Sequence, residues 1–245
     1  MSTQYDAIAA GYQATKESAL RRYVEAWSFL RMLGDVNGLE VLDLACGEGF
    51  YTRKIRAAGA ARVTGVDISP EMIRLAEATE QQQALGVDYR CADVTTMDAL
   101  GEFDLVSAAY LLHYAPDVAA LELMCQKIAA QLKPGGRLVC INENPEQSFA
   151  AYAGYTQYGF NKSATGRQVD GTPVSYAMVS GRSMIRFEVF YYSSATYAAA
   201  LKKAGFTSVV WVPLQLDPAG IEECGKGYWQ EYMQNPPVVG LVCER

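Results

Sequence analysis

One histidine, His113, stands in the whole chain, and the six cysteines (Cys46, Cys91, Cys125, Cys140, Cys224 and Cys243) fall nowhere in Cys-x-x-Cys spacing. That scatter excludes a zinc site and a disulfide framework, so we expect no metal and reduced thiols in a cytoplasmic protein. Basic residues are not in excess. The formal charge is −6 over 245 residues, which leaves no electrostatic footprint for nucleic acid as a substrate. No apolar run reaches the ~20 residues that cross a bilayer, so no membrane contact is expected. The opening Met1-Ser2-Thr3-Gln4-Tyr5-Asp6 lacks the charged-then-apolar pattern of a signal peptide. There is also no internal repeat and no low-complexity linker. What is present is 50% hydrophobic and 20% charged, the make-up of one large α/β domain carrying an elaboration.

The organising stretch is Val41-Leu42-Asp43-Leu44-Ala45-Cys46-Gly47-Glu48-Gly49-Phe50-Tyr51-Thr52. Its apolar run predicts a buried strand of a parallel sheet, and the residues after the two glycines predict a helix. Gly47 and Gly49 lack a Cβ, so the backbone can turn sharply there and a ligand can lie almost against it. A dinucleotide site wants a third glycine three residues on, with a pyrophosphate on the helix N-terminus. Here that place holds Thr52, and Asp43 sits inside the strand. An acid repels a pyrophosphate but suits a ligand with a cationic end, and S-adenosylmethionine carries both a sulfonium and an ammonium.

A second strand, Ala61 to Asp67, ends in an acid eighteen residues after Gly49. One carboxylate there can accept both hydroxyl protons of a ribose. Ser69 caps the next helix, Pro70 fits its first turn, and Ile68 can pack on Ile73. Residues 87–94 predict a third strand running to Asp93, where an acid can take an adenine amino group or merely cap its loop. Phe103 to Ala109 is the fourth strand, Pro116 to Leu132 a helix, Lys133 to Gly136 a turn, and Arg137 to Asn142 the fifth strand. This alternation predicts a doubly wound parallel sheet.

These residues carry a resemblance. The glycine turn with Asp43, the run Val66-Asp67-Ile68-Ser69-Pro70-Glu71-Met72, the Asp93 loop and Leu132-Lys133-Pro134-Gly135-Gly136 resemble class I S-adenosylmethionine-dependent methyltransferases. The resemblance implies an α/β, Rossmann-like seven-stranded sheet with an antiparallel last strand. It implies that Asp43, Gly47 and Gly49 border the methionine end of the cofactor and that Asp67 takes the ribose. Ile68 and Met72 would flank the adenine, and Asp93 with Val94 would border its edge. Ala45 and Ala109 complete the set, and S-adenosylhomocysteine would be the product. More loosely, Tyr5-Asp6, Ile8-Ala9, Tyr12 and Thr15-Lys16, with Tyr228-Trp229 and Asn235-Pro236-Pro237, resemble toxoflavin-biosynthesis N-methyltransferases. That likeness implies ring-nitrogen methylation of an azapteridine. The alternatives are O- or C-methylation of a small phenol or aromatic amino acid, or a cofactor-binding module without chemistry of its own.

The expected organisation is an N-terminal lid or covering helix at 1–33, a cofactor-binding core at 34–145, a substrate-covering insertion at 146–192 and the rest of the core at 193–245. In the first part, Leu20, Tyr23, Val24, Trp27 and Leu30 form an apolar stripe with Phe29 on the opposite face, and Gly34 ends the helix. The insertion is rich in aromatics, and flat faces stack on flat substrates, so a small aromatic or heteroaromatic acceptor is expected. Further on, Ser194 caps a helix, Thr207 to Leu216 is the sixth strand, one helix spans 219–233 and Val238 to Cys243 is the last strand. Methyl transfer is an in-line displacement that asks mainly for alignment and exclusion of water. His113 is the candidate general base. Tyr5 or Tyr12 can close over the sulfonium, and Arg21 or Arg22 can pair with the methionine carboxylate. Asn142-Glu143-Asn144 is read as a turn and not as a magnesium site. Oligomeric state stays open.

Overall fold

Alternate residues of strand β1 (Glu40–Leu44) enter two different apolar layers, Val41 one of them and Leu42 and Leu44 the other. A strand buried on both faces of a parallel sheet requires this. The computed structural model describes residues 18–180 and 183–245. After β1 come β2 (Arg62–Asp67), β3 (Asp88–Cys91), β4 (Phe103–Ala109), β5 (Leu132–Glu143), β6 (Phe160–Ala164), β7 (Thr172–Ser180), β8 (Ser183–Tyr191), β9 (Ser208–Val212) and β10 (Val238–Glu244). Seven of them form one sheet in the order β3-β2-β1-β4-β5-β10-β9. The first five run parallel, and β10 lies antiparallel to both of its neighbours. The strand order reverses between β1 and β4, and the crevice at their carboxyl ends is where open sheets of this kind bind ligands.

Helices α1 (Trp27–Leu33), α2 (Phe50–Ala57), α3 (Pro70–Gln82), α4 (Val118–Ala130), α5 (Ser194–Lys203), α6 (Pro218–Cys224) and α7 (Lys226–Gln234) complete the chain. Residues of α1 and α2 share the Val41 layer, and residues of α4 and α5 share the Leu42 layer. The aromatic stretch folds into a separate antiparallel sheet, β6-β7-β8. It joins the Val41 layer through Phe160, Tyr176, Val189 and Tyr191, together with Trp229 and Tyr232 of α7.

Several expectations need correction. The segment before α1, Arg21–Ala26, is π-helical, and the wider turn shifts the phase of everything after it. Phe29 is therefore fully buried against Tyr51, with ring centroids 4.7 Å apart. Trp27 is turned outward under the Arg31 guanidinium. Lys133 to Gly136 makes no free turn but belongs to β5, with a register shift against β4 between Phe103 and Leu105. The cap of α5 is Ser193, whose hydroxyl accepts from the Thr196 N–H. The single helix expected over 219–233 is two, because Gly225 between α6 and α7 has φ 81°. Ile68 lies half exposed, while Ile73 packs with Ala76, Val87 and Tyr89. All six cysteines are free thiols.

Candidate active site

Asp43 is buried in the middle of the sheet, and two hydroxyls fix its carboxylate. Thr52 of α2 donates to Oδ2 at 2.6 Å, and Ser107 of β4, which pairs with Asp43 in the ladder, donates to Oδ1 at 2.6 Å. Thr52 was noted only as a missing glycine, and Ser107 was not singled out. Beyond β1 the chain turns through Ala45 (φ 54°) and Gly47 (φ 56°). A left-handed alanine is uncommon and marks a turn that the surroundings impose. The Gly47 N–H donates to Asp67 Oδ2 at 2.8 Å, and the Ser69 N–H donates to Oδ1 at 2.9 Å. Asp67 is thus held at the tip of β2 by backbone on either side. Ser69 also accepts from the Met72 N–H at 3.2 Å and so caps α3.

The two glycines do different work. A Cβ on Gly47 would meet nothing nearer than the Met72 sulfur at 4.0 Å, which leaves room for a ligand. A Cβ on Gly49 would lie 2.2 Å from the Tyr89 hydroxyl, so that glycine makes room for a tyrosine.

A cavity of about 590 Å³ opens along these tips, within the range that holds cofactor-sized molecules. Asp43, Ala45, Gly47, Asp67, Ile68, Met72, Asp93, Val94 and Ala109 all border it. Gly49 and Arg21, expected there, do not. Asp93 uses Oδ1 within its own loop, accepting from the N–H and hydroxyl of Thr95 at 2.8 and 2.7 Å. The donor set suits S-adenosylmethionine: carboxylates at two strand tips, open backbone at Gly47, and apolar plates from Ile68, Met72 and Val94.

A smaller chamber of about 60 Å³ adjoins it, with Tyr110 and Tyr114 bordering both. Six of its sixteen lining residues are phenylalanine or tyrosine, with Tyr158, Phe160, Tyr176 and Phe187 added to the two shared tyrosines. Tyr110 has φ 66°, and its buried hydroxyl finds no hydrogen-bond partner among the described residues. Arg21 lies in this chamber, salt-bridged to Glu25 at 2.9 Å and placed 5.1 Å from the centre of the Tyr110 ring. Arg22 is exposed, near Glu223. Tyr5 and Tyr12 lie outside the described residues.

His113 is also in the chamber wall and is buried. Burial lowers its pKa to about 4, against the opposing charge of Glu143. Its Nδ1 accepts the Glu143 backbone N–H at 3.3 Å. In a neutral imidazole so engaged, the proton sits on Nε2.

Glu143, at the end of β5, borders the chamber and is buried. It accepts from Lys162 Nζ at 2.7 Å through Oε2 and from the Tyr176 hydroxyl through Oε1. The Lys162 ammonium also donates to Gln147 Oε1 at 2.8 Å and lies 3.8 Å from the centre of the Tyr152 ring. Burial pulls the lysine pKa down while Glu143 pushes it back up. Removing one partner of such a pair typically costs about 3–5 kcal/mol, because the other charge is left buried and unpaired. Glu143 had been read only as part of a turn. A lysine in a predicted short strand gives no signal from sequence that it will be buried.

Comparisons with known proteins agree with this geometry. Residues 41–136 match a family described as methyltransferase domain. The chain is 29% identical over 223 residues, 89% of its length and 86% of the relative's, to the ubiquinone/menaquinone biosynthesis C-methyltransferase UbiE of Desulfotalea psychrophila. It is 37% identical over 132 residues to the ubiquinone biosynthesis O-methyltransferase of Coxiella burnetii, a match spanning 51% of this chain and only about half (53%) of that relative. The crystal structure of an S-adenosylmethionine-dependent methyltransferase from Mesorhizobium loti has the same fold, with a TM-score of 0.65, 22% identity and coverage of 94% of this chain and 100% of that one. Among the described residues no helix is long and apolar enough to cross a membrane. Residues 41–136 thus carry a methyltransferase domain, set in the fold that S-adenosylmethionine-dependent methyltransferases share.

Proposed function

We propose that this methyltransferase modifies a ring nitrogen of a small planar heteroaromatic, an azapteridine of the toxoflavin type. The observation that carries the reading is the aromatic chamber that shares Tyr110 and Tyr114 with the cofactor cavity. Flat walls favour a flat acceptor, at about 0.5–1.5 kcal/mol per aromatic pair beyond burial. Pro237, inside the stretch that carries the toxoflavin-type resemblance, borders the same chamber. When bound, S-adenosylmethionine supplies an electrophilic methyl on a sulfonium. In this reading Asp67 takes the ribose hydroxyls, Ile68 and Met72 flank the adenine, Asp93 and Val94 border its edge, and Asp43 and Gly47 face the methionine end. Tyr110 and Tyr114 keep water from the junction of the two spaces.

His113 fits a positioning role better than a base. At neutral pH it is uncharged, its one lone pair is taken by the Glu143 N–H, and an acidic ring N–H needs no strong base to lose its proton. Arg21 with Glu25 closes one end of the chamber. The relatives named as ubiquinone C- and O-methyltransferases favour a second reading, methylation of carbon or oxygen on a quinol-like ring. Incubation with S-adenosylmethionine and a panel of azapteridines, phenols and quinols separates the two. Release of S-adenosylhomocysteine with the azapteridines, and methyl on nitrogen in the product, is expected. Turnover confined to phenols or quinols favours the second reading, and no turnover with any ring contradicts both.

A further inference from the structure

We propose that Glu143 and Tyr110 together read one edge of the acceptor, Glu143 accepting a hydrogen bond from a ring N–H and Tyr110 donating one to a neighbouring carbonyl. The inference rests on the acceptor site proposed above, with one edge of the ring entering the smaller chamber and the rest lying in the larger cavity that Tyr110 and Tyr114 also border. Glu143 is a buried carboxylate on the chamber wall that accepts from Lys162 and Tyr176. Lys162 sits behind it, bonded also to Gln147 and covered by the Tyr152 ring, and is not part of the chamber lining. The ammonium therefore pairs with the carboxylate without meeting the ligand. Two of about four lone-pair positions are used, so the carboxylate can still accept. Its charge is already balanced by Lys162, so a neutral N–H suits it as well as a cation would.

Tyr110 carries the independent observation. Its hydroxyl is buried without a partner among the described residues, on a side chain that borders both spaces. A buried hydroxyl left unpaired is costly, and of the several tyrosine hydroxyls so placed among the described residues only that of Tyr110 belongs to a residue bordering both spaces. The backbone there adopts a left-handed φ of 66°, held by the Tyr110 N–H donating to the Ile141 carbonyl at 2.8 Å. Strain of this kind clusters where a side chain must be aimed. A donor and an acceptor on one wall complement a ring edge that carries C=O beside N–H, as in a lactam or imide. A diol or phenol edge matches only half of the pair.

The test measures binding of two rings of equal size, quinoxaline-2,3-dione and naphthalene-2,3-diol, to the full chain saturated with S-adenosylhomocysteine. We expect the dione to bind at least tenfold more tightly than the diol. In Tyr110→Phe, and in the charge-balanced pair Glu143→Leu with Lys162→Met, that preference should fall at least fivefold in protein whose far-ultraviolet circular dichroism matches the wild type. Equal binding of the two rings by the wild type overturns the proposal, as does a preference that survives in Tyr110→Phe and in the paired variant. Should the paired variant not fold, the wild-type preference and Tyr110→Phe decide alone. The outcome is separable from the reaction: nitrogen methylation without the preference sinks this inference only, and the preference with methylation confined to carbon or oxygen sinks the nitrogen reading only.

Discussion

His113 shows how a single side chain can be re-read once its partners are known. As the only histidine, beside the fourth strand, it looks like a proton acceptor. Its environment sets a different character, with burial lowering the pKa to about 4 and Nδ1 bonded to backbone. A folded-state value below the unfolded one (about 6.5) means that the unfolded chain takes up the proton first. The stability this neutral histidine contributes is complete above pH ~6.5 and is lost as pH falls towards 4. The loss amounts to about 2 kcal/mol at pH 5 and about 3 kcal/mol at pH 4. Asn in its place has no such titration. Urea unfolding at pH 7 and pH 5 should therefore show a smaller acid destabilisation for His113→Asn than for the wild type, by about 2 kcal/mol. Equal acid sensitivity would mean that His113 is charged in the folded protein.

At the scale of the element, helix ends and turns are where local chemistry and packing compete. Ser193 and Ser194 are adjacent and either can cap a helix by composition. The structure selects Ser193, whose hydroxyl meets the Thr196 N–H at 3.3 Å, while Ser194 bonds the exposed Glu146. Ser193→Ala should cost about 1 kcal/mol, and Ser194→Ala should stay within about 0.5 kcal/mol. Urea midpoints of the two variants check this, and a larger loss at Ser194 would move the cap. The π-helical turn at Arg21–Ala26 has the same origin, a local departure that packing repays. Burying Phe29 is worth about 1.5–3 kcal/mol, and the change of phase also brings Arg21 against Glu25 and the Tyr110 ring.

Across the whole molecule, what a sequence reveals depends on how local the cause is. The doubly wound sheet and the crevice at its strand ends were legible because alternating strands, a glycine turn and the acids Asp43 and Asp67 act within a few residues of themselves. Ser107 was not legible, because it matters only through register with Asp43 across the ladder. Gly49 does make the expected sharp turn, with φ 86°, but that its missing Cβ also makes room for Tyr89, forty residues on, was not legible. The Glu143–Lys162–Tyr176 cluster joins three strands from two sheets, and no spacing in the chain announces it.

The claim beneath the rest is that the cationic methyl donor lies across the ends of β1 and β2, held at the ribose by Asp67. Calorimetric titration of S-adenosylhomocysteine into the wild type and Asp67→Ala measures it directly. Loss of a charged hydrogen-bond acceptor worth about 1.5–3 kcal/mol should weaken binding roughly ten- to hundredfold. Unchanged affinity in a folded Asp67→Ala protein, or no binding by the wild type, would contradict it.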